Sequence, residues 1–151
     1  MLSKTAFAGG GRLSQADYEA LADFRYALRQ FLRISEESAY AAGLTPQQHQ
    51  GLLAIKGYPG PGPITVGELA ERLQLRPHSA VMLADRLVAN QLVERRMPAQ
   101  PEDQRQVHLA LTERGEGVIE GLAEAHREEL CRLEPNLARL CADLRGQKPL
   151  P

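Results

Sequence analysis

Arg76, His78, Ser79, Met82 and Arg86 are the residues whose types and spacing best equip this chain to recognise something. They are left on the outward side of a helix that Pro77 opens and that Val81, Ala84, Leu87 and Val88 turn inward. Two guanidinium forks, an imidazole and a hydroxyl can bond base edges, and a thioether tip suits a thymine methyl. A solvated helix face in a bundle would read the same way, and on this feature alone the two readings stand level. Asp103 and Arg105 form a second candidate, two apart in a polar, proline-bearing run between two β-like segments. At the tip of a thin β-ribbon the carboxylate can aim the guanidinium into a minor groove. The plain alternative is a surface ion pair of little energetic weight.

Other chemistry is poorly supplied. His49, His78, His108 and His126 lack metal-ligand spacing. His78 and Ser79, being adjacent, point about 100° apart on a helix and make no catalytic pair. Phosphate-binding, dinucleotide and nucleophile-elbow motifs are absent from the sequence, so neither an enzyme nor a cofactor is expected. Cys131 and Cys141 would lie about 15 Å apart along a continuous helix, too far for a bridge. They are read as small packing residues, with a redox role as the alternative.

Composition narrows the class. With 43% apolar and 25% charged residues the chain is globular, and two cysteines exclude a disulfide-rich scaffold. No stretch approaches the roughly 18 apolar residues of a membrane span. The leading residues lack the apolar run of about 7–15 residues found in a signal peptide, so a cytoplasmic location is expected. The net charge of −1 offers no global sign of nucleic-acid binding. It is an average of unlike parts: Arg72–Arg114 carries seven arginines against five acids, and the remainder carries 11 basic against 14 acidic residues.

The elements that must position the candidates follow from caps and breakers. Ser14 to Gly43 reads as one helix, with Ser14 and Asp17 as a capping pair and a stripe of Tyr18, Leu21, Phe24, Leu28, Phe31 and Leu32. Thr45-Pro46-Gln47-Gln48 opens a second helix carrying Leu52, Leu53 and Ile55 to a stop at Gly57. Three prolines make residues 58–63 a stiff loop. Thr65 and Glu68 form another capping box, Gln74-Leu75-Arg76 is a three-residue turn with Leu75 tucked inward, and the Pro77 helix runs to about Asn90. Leu92–Arg96 and Val107–Leu111 form a hairpin. Thr112 caps a helix to about Leu133, and Pro135 is expected to break it before a last helix over Asn136–Leu144.

Helix, short turn, helix and hairpin across Thr65–Leu111 set the second helix for a major groove. The segments ITVGELAERLQLRPHSAVMLADRLVANQLVERR and PEDQRQVHLALTERG resemble those of the MarR (multiple-antibiotic-resistance regulator) family of winged-helix repressors. The D-x-R at Asp103 and Arg105 and the closing Leu111-Thr112 carry the likeness, which with the flanking helices covers roughly Ser14 to Leu144. The resemblance implies a mainly α fold with a small β-hairpin wing, and one MarR-like domain over residues 1–151. Residues 45–111 would form the winged helix-turn-helix DNA-binding lobe, and 14–43 and 113–145 the N- and C-terminal dimerisation helices. Arg105 would be the wing arginine and Asp103 its positioning partner. A homodimer would then place two recognition helices about 34–36 Å apart on a palindromic operator in double-stranded DNA. The resemblance also implies a small aromatic or anionic effector, for which Tyr26, Arg29, Tyr40, His49 and Tyr58 are the candidate wall residues. Two departures stand out: Asn90-Gln91 replaces the family's usual glycine turn, with Asn expected to adopt the left-handed conformation, and Met82 replaces a polar residue.

The expected function is a homodimeric, sequence-specific DNA-binding repressor relieved by a ligand, with no membrane partner. The alternatives are a winged-helix protein-interaction module without DNA binding and a thiol-based redox-sensing regulator.

Overall fold

A computed structural model describes residues 13–97 and 106–146. Five helices and three strands follow in the order α1 (Gln15–Ala41), α2 (Pro46–Lys56), β1 (Ile64–Thr65), α3 (Val66–Arg72), α4 (Pro77–Ala89), β2 (Val93–Arg96), β3 (His108–Leu111) and α5 (Glu113–Gly146). The chain is mainly helical with a small antiparallel sheet, as the winged-helix reading requires. Contacts divide it into two units: one ends at Leu32 and resumes at Glu129, and the other spans Arg33–Glu128. Helices α1 and α5 each contribute to both.

The larger unit is built by its caps. Thr45 Oγ1 accepts the Gln48 amide (3.2 Å) while Gln48 Oε1 accepts the Thr45 amide (2.9 Å), closing the box that opens α2. Thr65 and Glu68 repeat the arrangement at α3. Helices α1, α3 and α4 end alike, each with a left-handed residue after the last turn: Gly43 (φ 77°), Gln74 (φ 53°) and Gln91 (φ 58°). The following amide reaches back five residues in each case: Leu44 to Ala39 O, Leu75 to Ala70 O and Leu92 to Leu87 O. At the end of α4 the left-handed residue is therefore Gln91 and not Asn90, whose φ is −82°.

The sheet order is β1-β3-β2, all antiparallel, with Ile64 opposite Leu109 and Arg95 opposite Leu109 on the other side. The hairpin strands lie within a residue of expectation. The third strand was not foreseen, because two residues have no period to read. His108 Nδ1 donates to Pro63 O (2.7 Å) beside it, tying the proline loop to β3.

Leu52, Ile64, Leu69, Leu83, Leu87, Leu92, Val93, Leu109 and Ile119 form the fully buried centre of this unit. The inward face of α4 is Ala80, Leu83, Ala84 and Leu87, while Val81, expected to point inward, is exposed. On α2 the inward positions are Gln48, His49, Gly51, Leu52 and Ile55, and Leu53 faces out. Helix α2 approaches α4 closely at Gly51, where a Cβ would meet Leu83 and Leu87 methyls at 3.2 Å.

In the smaller unit Ser14 and Asp17 cap α1 as expected: the Ser14 amide and hydroxyl both donate to Asp17 Oδ2 at 2.7 Å. The break expected at Pro135 does not occur, and α5 runs unbroken through it. Proline forfeits one backbone bond and crowds the preceding turn, a penalty of about 3 kcal/mol. Leu130, Leu133 and Leu137 nevertheless keep helical spacing across it and line an apolar groove of about 340 Å³ with Phe24, Leu28 and Phe31 of α1. The continuous apolar face offsets the lost bond.

Candidate nucleic-acid interface

The second capping box and the glutamine turn fix where α4 begins. Tyr58 reinforces that corner by donating its hydroxyl to Glu68 Oε1 (2.6 Å), while Glu68 Oε2 takes the Thr65 amide and hydroxyl. The Tyr58 bond, then the Thr65 amide, hold the Glu68 carboxyl below its ordinary range, and the same Tyr58–Glu68 bond raises the phenol. Arg72 sits over the Tyr58 ring at 5.8 Å. The three-residue turn follows, with Leu75 half-buried as anticipated, and Pro77 occupies the first helical position.

Arg76, His78, Met82 and Arg86 are exposed and Ser79 is half-buried, opposite the Ala80–Leu83–Ala84–Leu87 face. His78, Met82 and Arg86 recur every fourth residue along the exposed side. The arrangement presents a cationic start, hydrogen-bonding groups and an apolar middle along one rod about 20 Å long, the rise of thirteen residues.

After the Gln91 turn the chain enters β2, whose outer residues are charged. Arg95 Nη2 is bonded to Asp85 Oδ1 on α4, and Arg96 Nε and Nη2 to Glu94 Oε1 at 2.8 and 2.6 Å. Neither Asp85 nor Arg95 stood out in the sequence, because their meeting depends on how the hairpin folds back across α4. Asp103 and Arg105 lie outside the described residues.

The five candidate effector residues are not gathered at one described cavity. Tyr26 and Arg29 are exposed on α1, and Tyr26 Oη accepts Gln30 Nε2 at 3.1 Å. Tyr40 is exposed, and Tyr58 is engaged by Glu68 at the edge of a cavity of about 290 Å³. His49 is buried with its ring 4.7 Å from that of His126. Burial first, and His126 second, lower the His49 pKa from its ordinary value. Cys131, expected to pack, is exposed on α5 of the single chain; the Cys141 side chain lies outside the described residues. Among the described residues no cluster of three potential metal ligands occurs, and no helix is long and apolar enough to cross a membrane.

Comparison with known proteins places these elements in context. The model described as "MarR family" matches residues 42–106. The HTH-type transcriptional repressor MdtR of Bacillus subtilis (strain 168) is 30% identical over 96 residues, 64% of this chain and 59% of that protein's length. The chain therefore spans less than two thirds of that relative. RV1404 from Mycobacterium tuberculosis superposes with a TM-score of 0.66 at 25% identity, covering 91% of this chain and 98% of that one. An S. aureus MepR mutant bound to an oligodeoxyribonucleotide superposes with a TM-score of 0.63 at 19% identity, covering 88% and 99%.

Proposed function

We propose that this chain is a member of the MarR family and a sequence-specific, DNA-binding transcriptional regulator. It is a regulator and not an enzyme. The observation that carries the DNA-binding reading is the outer side of α4, where Arg76, His78, Met82 and Arg86 are exposed and Ser79 half-buried after the helix-turn-helix corner. Such a face offers donors to base edges while the buried side holds the helix in place. The similar MepR mutant, bound to an oligodeoxyribonucleotide, supports the same use of the fold. Asp103 and Arg105 would add a minor-groove contact from the hairpin tip.

The regulator would act as a homodimeric repressor. Tyr18, Leu21, Leu28 and Leu32 on α1 and Leu130 and Leu137 on α5 stay exposed in one chain, which a partner's helices would cover. A small aromatic or anionic effector would favour a dimer with its α4 helices at the wrong separation and so lower operator affinity. Selection of bound sites from random duplexes tests the core of this proposal. Enriched palindromes with half-sites about one helical turn apart are expected, and enrichment of no common sequence would refute it.

The protein-interaction alternative draws on one observation: both arginines of β2 are already paired with carboxylates. Salt dependence separates the two, since phosphate contacts give a steep negative slope and a protein-binding module gives none on duplex DNA.

A further inference from the structure

The Asp85–Arg95 pair lies on the face that the DNA-binding reading turns toward the duplex. His78, Val81, Met82 and Asp85 are spaced so that one side of α4 carries all four, and all four are exposed. A carboxylate there opposes a phosphate backbone unless something neutralises it. Arg95 does so from β2. Strand alternation places Arg95 on the same side of the sheet as Val93, which is buried against the core. Two residues further out, Arg95 passes the edge of that core and reaches across to the helix. It also borders an open groove with Val81, Gln106 and Val107, which leaves its side chain room to swing.

We propose that Arg95 is a DNA-phosphate contact held in reserve by Asp85, whose carboxylate occupies the guanidinium until a duplex displaces it. The proposal rests on the DNA-binding reading and adds a residue and a control to it. The side chains of Arg95 and Asp85 are 40% and 58% exposed, so water weakens their attraction and exchange is easy. A phosphate offers the same fork-shaped acceptor as a carboxylate, with the field of the whole duplex behind it. Arg96 differs, because its partner Glu94 lies two residues away on the same strand and side of the sheet and stays with it. Asp85 would thus lower affinity for DNA of any sequence, leaving discrimination to the α4 face.

The test is a set of duplex titrations over a range of salt with wild type, Asp85→Asn, Arg95→Gln and the double variant. Asp85→Asn should bind random-sequence duplex several-fold more tightly, with the slope of log affinity against log salt steeper by up to about one ion. That gain should largely vanish in the Arg95→Gln background. A gain just as large without Arg95 would reduce Asp85 to simple repulsion and overturn the proposal. So would weaker binding in both single variants, the mark of a brace that shapes the hairpin, or an unchanged slope in Asp85→Asn. Absence of salt-dependent binding in every variant, wild type included, would instead sink the DNA-binding reading and the proposal with it.

Discussion

Thr112 Oγ1 donates to the Gln91 carbonyl at 2.7 Å, so the residue that caps α5 also clamps the left-handed turn that ends α4. The Thr112 amide bonds the next carbonyl, Leu92 O, at 3.1 Å, and Thr112 Oγ1 accepts the Gly115 amide at 3.0 Å. One threonine thereby joins the end of α4, the start of the hairpin and the first turn of α5. The Leu-Thr-Glu-Arg-Gly run is a joint for that reason.

Gly115 is the tightest point of this joint. A Cβ there would overlap the Leu92 carbonyl oxygen, which is backbone and fixed by the Thr112 amide. Gly115→Ala is expected to lower unfolding stability by about 3 kcal/mol, at the upper end for overpacking. Gly117, two residues on, has nothing within 4 Å of a built Cβ. Gly117→Ala should therefore stabilise by about 0.5–1 kcal/mol through helix propensity. Urea unfolding of the pair measures both, and equal effects would contradict the contact.

Gln91 holds a backbone conformation that L side chains resist by about 1–2 kcal/mol. Its carbonyl, not its side chain, serves Thr112, so glycine would keep the bond and lose the strain. Gln91→Gly is expected to stabilise by about 0.5–1 kcal/mol after the entropy of the unfolded glycine is charged against it. Asn90→Gly should do nothing of the kind, since Asn90 is not left-handed. A shift in the urea midpoint for the first and not the second is the expected result.

His49 makes stability depend on pH. Its folded pKa lies below the ordinary 6.5, through burial and then through His126, so the unfolded chain takes up its proton first. The stabilising contribution is full above about pH 6.5 and is lost as pH falls through the folded value. Thermal midpoints should decline below pH 6.5 more steeply in wild type than in His49→Gln. Parallel profiles would show that the imidazole contact has no such effect.

The helix-turn-helix corner was legible because its signals are local: Thr65 with Glu68, Pro77, and helical spacing from Ala80 to Leu87. The exposure of His78, Met82 and Arg86 followed from the same periodicity. What escaped reading depends on contacts across the fold. Helix α2 meets α4 closely at Gly51, and Val81 is left exposed although its spacing pointed inward. Gln91 turns left-handed within a joint built by a threonine 21 residues away. Pro135 sits in a helix because apolar residues on both sides of it share one groove. Arg95 meets Asp85 only once the hairpin has closed.

The hairpin tip gives a prediction that rests on sequence alone. Arg105→Ala should weaken operator binding by about 1–3 kcal/mol and leave the folded dimer intact. Met82→Ala should instead relax preference at one base pair, since a thioether meets a thymine methyl and not a phosphate. Affinities for a selected site and a scrambled one, at fixed salt, distinguish the two effects. Unchanged affinity in Arg105→Ala would remove the wing from the interface.

Dimerisation gives the most exposed prediction of all. The groove in the smaller unit is lined by Phe24, Leu28, Phe31, Leu130, Leu133 and Leu137 and carries almost no polar surface. Leu28 and Leu130 remain exposed beside it in the single chain. Covering such a face with a second copy removes apolar area at about 25 cal/mol per Å², and a charge placed there would be buried without a partner. Leu28→Asp is therefore expected to weaken self-association by at least about tenfold, roughly 1.4 kcal/mol. Sedimentation equilibrium should show the wild type as a dimer at micromolar concentration and the variant shifted toward monomer. Because two linked lobes gain from acting together on a palindrome, the variant should lose operator affinity in parallel. A wild type that sediments as a monomer would overturn the two-fold arrangement and the palindromic site that depends on it.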